Sequence, residues 1–203
     1  YTYDLTPRNL THLAWWVSEV TERDVRQCRA WISEVLEDQQ LARVFYSRTQ
    51  ESNRKGLADW EMRIGRRAGW YAVIRALEPG HVLESGTDKG LGSLVCAAAL
   101  LRNGSGTLTT VDVNPSAGYL VSSPYSRVTS LIIGDSVEAI SQMTKDVDIF
   151  IHDSDHSKEH EEAEIEAVLP RLSPKALVIS DNAHVTDVLQ QWSEEQGRRF
   201  LYF

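Results

Sequence analysis

The stretch His81-Val-Leu-Glu-Ser-Gly-Thr-Asp-Lys-Gly-Leu-Gly-Ser93 decides the fold. Val82 and Leu83 end an apolar run of the kind that makes a buried strand, and Gly86, Gly90 and Gly92 follow. Leu94 to Leu101, LVCAAALL, then reads as a helix packed on a sheet. A glycine-rich turn between strand and helix lets a ligand approach the backbone, and the helix start offers unpaired N–H groups. The dinucleotide fingerprint needs G-x-G-x-x-G. Here the order is E-x-G-x-x-x-G, with Asp88 where a second glycine would stand and Glu84 at the strand end, placed to hold a cation.

That arrangement resembles the first motif of class I S-adenosylmethionine (SAM)-dependent methyltransferases. SAM carries a sulfonium and an ammonium group, so an acid beside the glycines is reasonable where a pyrophosphate would prefer none. The bland alternative is an ordinary strand–turn–helix with a structural glycine pair.

Length and composition bound the remaining readings. A chain of 203 residues can bury one domain with an added helical cap. No apolar run approaches the roughly 20 residues of a membrane span. YTYDLTPRNL has no signal-peptide pattern, and with no starting Met the N-terminus is expected to be trimmed. Cys28 and Cys96 fall in helical patterns and suggest reduced core thiols in a cytoplasmic protein. A formal charge of −8 disfavours nucleic acid as the main partner, since phosphate binding needs a basic surface.

Before residue 81 the pattern is helical. Trp15 and Trp16 lie in a first short helix. Thr21 with Asp24 forms a capping-box-like start for a second, with Val25, Cys28, Trp31, Ile32, Val35 and Leu36 on one face, running to about Phe45. Ser47 to Trp60 reads as an irregular polar loop, and a helix from near Glu61 to Leu77 leads into the first strand. Five of the six tryptophans precede residue 71; Trp31 and Trp70 read as core, Trp60 as a weak candidate for substrate contact. Arg48, Arg54, Lys55, Arg63, Arg66 and Arg67 make a local basic stretch that reads as a solvated helix face.

From residue 81 strands and helices alternate, which predicts an α/β, Rossmann-like, doubly wound and mostly parallel sheet with an N-terminal helical cap. Strands are expected near 81–86, 107–112, 127–133, 147–152, 175–180 and 198–203, with the cap over 1–60 and the main domain over 61–203. Ligands of such sheets bind outside the carboxyl ends of the strands. Asp112, 22 residues after Gly90, ends the second strand and can accept ribose hydroxyls of SAM or NAD alike. Asp135, after the third, can accept from an adenine amine or simply cap the helix that starts at Ser136.

The fourth strand ends VDIFIHDSDH and the fifth ALVIS-Asp181-Asn182, so Asp153, Asp181 and Asn182 fall at one sheet edge. Three hard oxygen ligands suit Mg²⁺ or Ca²⁺ better than zinc. This resembles the metal-dependent O-methyltransferases of the catechol and caffeoyl-CoA type and their bacterial relatives acting on sugars and natural products. The resemblance covers roughly residues 60–203. It implies that Asp153, Asp181 and Asn182 hold the metal. It further implies that Glu84, Ser85, Gly86, Thr87, Gly90, Ser93, Asp112, Asp135, Ser136 and Asp153 line the SAM site. His156 stands where these families carry a basic lysine and would be the general base with Asp153 beside it; otherwise it caps a helix or is oriented by Asp155. His152 reads as buried and satisfied, and His160 as solvated in the run KEHEEAE. The implied reaction is Mg²⁺-dependent methyl transfer from SAM to a hydroxyl of a small-molecule or saccharide acceptor with vicinal oxygens, and a homodimer is one assembly to expect. The family's final strand, inserted beside the fifth, has no counterpart before Phe203, so a C-terminal piece is expected beyond the sequence. Two other classes are weighed. HDSDH with His160 could form a metal-hydrolase cluster, although Ile151 and Asp153 would replace two required histidines; a non-catalytic SAM- or nucleotide-binding module would leave the Asp153, Asp181 and Asn182 convergence without a purpose.

Overall fold

The computed structural model describes residues 3–53, 55–56 and 59–203; Arg54 lies outside them. Four helices come first: α1 (Pro7–Thr21), α2 (Val25–Leu36), α3 (Gln39–Glu51) and α4 (Arg67–Leu77). Thr6 caps α1 by accepting from Asn9 N at 3.2 Å, and Pro7 occupies the first turn, where its missing N–H costs nothing. Asp24 itself caps α2 through Arg26 N, while Thr21 belongs to α1 and donates its hydroxyl to Val17 O. The single helix expected to reach Phe45 is broken at Glu37–Asp38. Asp38 Oδ1 accepts from Gln40 N and Leu41 N, both at 2.9 Å, and so starts α3, which runs on through what the sequence suggests is loop. A short acid competes with the helix backbone in mid-helix but stabilises a helix start.

The alternating half then forms β1 (His81–Ser85), α5 (Leu91–Asn103), β2 (Thr107–Asp112), β3 (Thr129–Ile133), α6 (Ser136–Ser141), β4 (Val147–His152), α7 (Lys158–Val168), β5 (Leu172–Ser180) and α8 (Val188–Glu195). All strand pairs are parallel, in the order β3-β2-β1-β4-β5. Alternation along the strands divides the core. Val82, Leu108, Ile149 and Ile151 join α1–α5 on one face, whereas Leu83, Val111 and Phe150 meet Ile140, Ile165 and Val188 of α6, α7 and α8 on the other. Leu91 through Leu100 of α5 are buried without exception, as a helix enclosed on all sides requires. Each fully buried Leu or Phe contributes about 1.5–3 kcal/mol. The N-terminal helices share this core with α4; Tyr71 donates to Glu34 Oε1 at 2.7 Å, joining α4 to α2.

The sixth strand expected at 198–203 is absent, and β5 is the sheet's edge. Side chains hold this tail instead of a backbone ladder: Arg198 lies over the Trp192 ring and donates to Ala176 O, Arg199 pairs with Glu19, and Phe203 meets Trp16 at 6.5 Å between ring centres. Cys28 and Cys96 are free and buried. Among the described residues no helix is long and apolar enough to cross a membrane.

Candidate functional site

The register of β1, β4 and β5 builds the site. Ser85 is level with His152, and His152 with Ser180, so the next residues form a row at the carboxyl edge. The ladder continues one step beyond the strands: Gly86 N donates to Val111 O, Asp153 N to Ser85 O and Asp181 N to His152 O, each at 2.9 Å. Gly86 has φ +87°, and a Cβ there would meet Asp153 O at 2.0 Å, so only glycine fits. A cavity of about 340 Å³ opens over this row, lined among others by Arg66, Arg67, Thr87, His156 and Asn182.

Behind the cavity, Glu84 is 1% exposed. Its Oε2 accepts from Ser93 Oγ and, at 2.8 Å, from Thr110 Oγ1, which also bonds Thr87 Oγ1 at 2.6 Å. Its Oε1 has no partner and lies against Gly92, where a Cβ would come within 2.2 Å of it. Burial pushes the Glu84 carboxyl up to about 7, despite the two hydroxyls and the charge of Arg67.

Asp112 holds the glycine turn in shape: its oxygens accept from Asp88 N at 2.7 Å and Asn114 N at 2.8 Å. Asp88 has φ +46°, the left-handed conformation for which the fingerprint uses glycine and which aspartate tolerates better than most residues. Gly90 has φ +92° and leads into α5. Asp135 is exposed and caps α6 through Glu138 N at 2.8 Å, the plainer of its two sequence readings. Ser85 and Ser136 turn to the other side of the sheet, where both donate to the buried Glu164. His152 joins them there through Nδ1 at 2.7 Å, with its Nε2 unpartnered, and His160 does so through Nε2 at 2.9 Å. His160 is therefore tied into a buried network and not left to solvent. HDSDH does not act as one cluster, because His152 and His160 serve Glu164 while His156 faces Asp153, its Nε2 4.0 Å from Asp153 Oδ1. Asp155 accepts from Ser157 N at the start of α7.

Asp153, Asp181 and Asn182 share the cavity, but with two arginines on them. Arg66 Nε and Nη2 grip Asp181 Oδ1 and Oδ2 at 2.9 and 2.8 Å, and Nη2 also reaches Asn182 Oδ1 at 2.6 Å. Arg67 Nη2 donates to Asp153 Oδ2 at 2.8 Å. Burial, which alone would raise the Asp181 carboxyl, is overridden by the Arg66 hydrogen bonds and the charge of Arg67, so it stays below the usual range. Asp153 is raised by burial and by the neighbouring Asp181 charge. Burial, then the nearby His152, lower His156 below the usual histidine range. Among the described residues no group of three or more His, Cys, Asp or Glu side chains is arranged to hold a metal. With guanidinium groups on these oxygens, the arrangement does not fit a divalent ion.

Arg66 and Arg67 correct the reading of the basic stretch as a solvated face. The signal was present: two consecutive cations at the start of a helix oppose its dipole and call for anions nearby. Elsewhere in that stretch Arg48 reaches Tyr119 O and Arg63 pairs with Glu61. Trp70 is core, whereas Trp60 is exposed beside Tyr46, away from the cavity.

Residues 83–183 match the family model described as a methyltransferase domain. A search of curated proteins gives no significant match. Among solved structures, an SAH-bound methyltransferase from Podospora anserina is 15% identical, with a TM-score of 0.56 over 71% of this chain and 62% of that one. This chain thus spans less than two thirds of that protein. An O-methyltransferase of tomaymycin synthesis from Streptomyces achromogenes, solved with SAM, is 19% identical, with a TM-score of 0.55 over 80% of each chain. An SAH-complexed O-methyltransferase from Bacillus cereus is 15% identical, with a TM-score of 0.55 over 83% of this chain and 84% of that one. At these identities the likeness is one of fold. Sheet order, glycine turn and family model agree: residues 83–183 form a methyltransferase domain, and the chain has the fold of these O-methyltransferases.

Proposed function

We propose that this protein transfers a methyl group from SAM to a hydroxyl oxygen of a small-molecule acceptor, a saccharide among the candidates. The unpartnered Oε1 of buried Glu84, beside the Gly86 turn, carries the reading. A buried carboxylate oxygen without a donor is costly unless a ligand completes it, and an ammonium group is the matching donor. Gly92 keeps a side chain off this oxygen, since a Cβ there would come within 2.2 Å of it. When bound, SAM supplies a sulfonium-activated methyl that a nucleophile takes in line.

The chain's own residues provide the rest. His156, which lines the same cavity and which burial holds below the usual histidine range, takes the proton of the acceptor hydroxyl. Arg66 and Arg67 hold Asp153 and Asp181 in place and put positive charge beside the oxygen that loses the proton. A preference for vicinal oxygens would follow from chelation of a metal by the acceptor, and the guanidinium contacts give no such reason for it.

Calorimetry should show S-adenosylhomocysteine binding without NAD binding, followed by methyl transfer to members of a hydroxyl panel. His156→Ala should lower turnover about 10²–10⁴-fold with cofactor affinity little changed. Binding of NAD in place of S-adenosylhomocysteine would sink the reading, and unaltered turnover in the variant would remove His156 from it.

A further inference from the structure

We infer that Arg66 and Arg67 are the resident cations of the acidic edge formed by Asp153, Asp181 and Asn182, so that this chain binds no Mg²⁺ there and needs none for methyl transfer. The second half rests on the function proposed above; the first does not.

The oxygens themselves make the case. Mg²⁺ demands near-octahedral oxygen coordination and is usually held by one or two carboxylates with water. Here both oxygens of Asp181, the amide oxygen of Asn182 and Oδ2 of Asp153 accept from guanidinium groups at 2.6–2.9 Å. Only Asp153 Oδ1 has no guanidinium on it, and it faces His156. The grip of Arg66 on Asp181 is the two-point fork that makes arginine a specific carboxylate partner. Charge gives the same answer. Two carboxylates face two permanent cations, so a divalent ion would enter a neutral cluster against two fixed positive charges.

Neither arginine sits on a free segment. Arg66 immediately precedes α4 and Arg67 begins it, and the next residues, Ala68 to Ala72, are buried. Gly69 fits against Leu13 so closely that a Cβ would meet its Cδ1 at 2.8 Å. The Arg67 guanidinium also lies 5.1 Å from the Trp70 ring centre, a cation–π contact that favours its inward pose. Arg67 is 15% exposed at the side chain, and its Nε is buried with no hydrogen-bond partner. Guanidinium groups thus supply the positive charge that related motifs draw from a metal.

The test is a Mn²⁺ titration of the full chain, with free ion followed by electron paramagnetic resonance. Wild type should leave Mn²⁺ free, and Mg²⁺ should not move its melting temperature. Arg66→Gln with Arg67→Gln should uncover binding at least about 10–100-fold tighter, the scale on which site partners alter metal affinity. Adding Asp181→Asn should abolish it again. Chelator-treated wild type should keep its methyl transfer. Stoichiometric Mn²⁺ binding by wild type that Asp181→Asn removes would overturn the inference, as would activity lost to a chelator and restored by Mg²⁺. If the double variant fails to fold, the wild type against Asp181→Asn comparison decides alone. Calorimetry with S-adenosylhomocysteine on the same samples separates the questions, since a cofactor failure there leaves the Mn²⁺ result standing.

Discussion

Two glutamates, on opposite sides of the same sheet, are equally buried and opposite in character. Glu164 is fully buried and accepts through Oε1 from Ser136, Ser154 and His160, and through Oε2 from Ser85 and His152. Burial would raise its carboxyl, but the bonds from His152, Ser136 and Ser85 win and bring it down to about 2. Glu84 has two hydroxyls on one oxygen and nothing on the other, and stands at about 7. Burial is common to both; the number of donors decides. A carboxylate with all its acceptors filled is scaffold, and one left half filled beside a cavity is a place for a ligand.

The largest effect that should separate them is on stability. Glu164→Ala strands two histidines and three serines in the interior, and should cost roughly 3–5 kcal/mol, the loss typical of breaking a buried charged network. Urea unfolding checks this, and a loss under about 1 kcal/mol would mean that the network adds no more than an average hydrogen bond. Glu84→Gln should do the reverse, leaving stability unchanged or slightly higher while weakening S-adenosylhomocysteine. The loss of a charged hydrogen bond of roughly 1.5–3 kcal/mol corresponds to about 10–150-fold in affinity. Calorimetry giving equal affinities for wild type and variant would erase the distinction.

The smallest effect is a pair of opposed pH slopes, each at most about 1.4 kcal/mol per pH unit. Glu84 is raised from 4.5 to about 7, so its protonated form stabilises the fold fully below 4.5 and that contribution is lost as pH rises through 7. Glu164 is depressed from 4.5 to about 2, so its contribution is present above 4.5 and lost as pH falls towards 2. Urea midpoints of wild type minus Glu84→Gln should therefore decline between pH 4.5 and 7, and those of wild type minus Glu164→Gln between 4.5 and 2. Taking differences removes Asp153, which is also raised. Parallel slopes in the two variants would contradict the assignment.

How far the sequence could reach follows from the same physics. The five strands were legible because buried parallel strands read as short apolar runs between turns, and their common register brought Asp153 and Asp181 to one edge. The resemblance puts Ser85 with the cofactor residues, although strand alternation turns it to the opposite face from Glu84. Its partner Glu164 is hidden in the charged run KEHEEAE, where Glu161 and Glu164 turn inward and Glu159 and Glu162 do not. In sequence Arg66 and Arg67 look solvated because their acids lie 115 and 86 residues away in the chain, beyond the reach of any local pattern. The tail at 198–203 has strand composition, but what it does depends on contacts with α1, β5 and α8 that no window of sequence contains.

The absence of a side chain at residue 86 has a mechanical consequence. The turn after β1 and the turn after β4 touch backbone to backbone, with Gly86 against the carbonyl of Asp153. The half of the cavity proposed above for the methyl donor and the half proposed for the acceptor are thus two faces of a single joint, with no side chain in between to absorb a displacement. Even one added methyl at residue 86 must move both faces at once, so its damage would be shared between donor binding and proton removal.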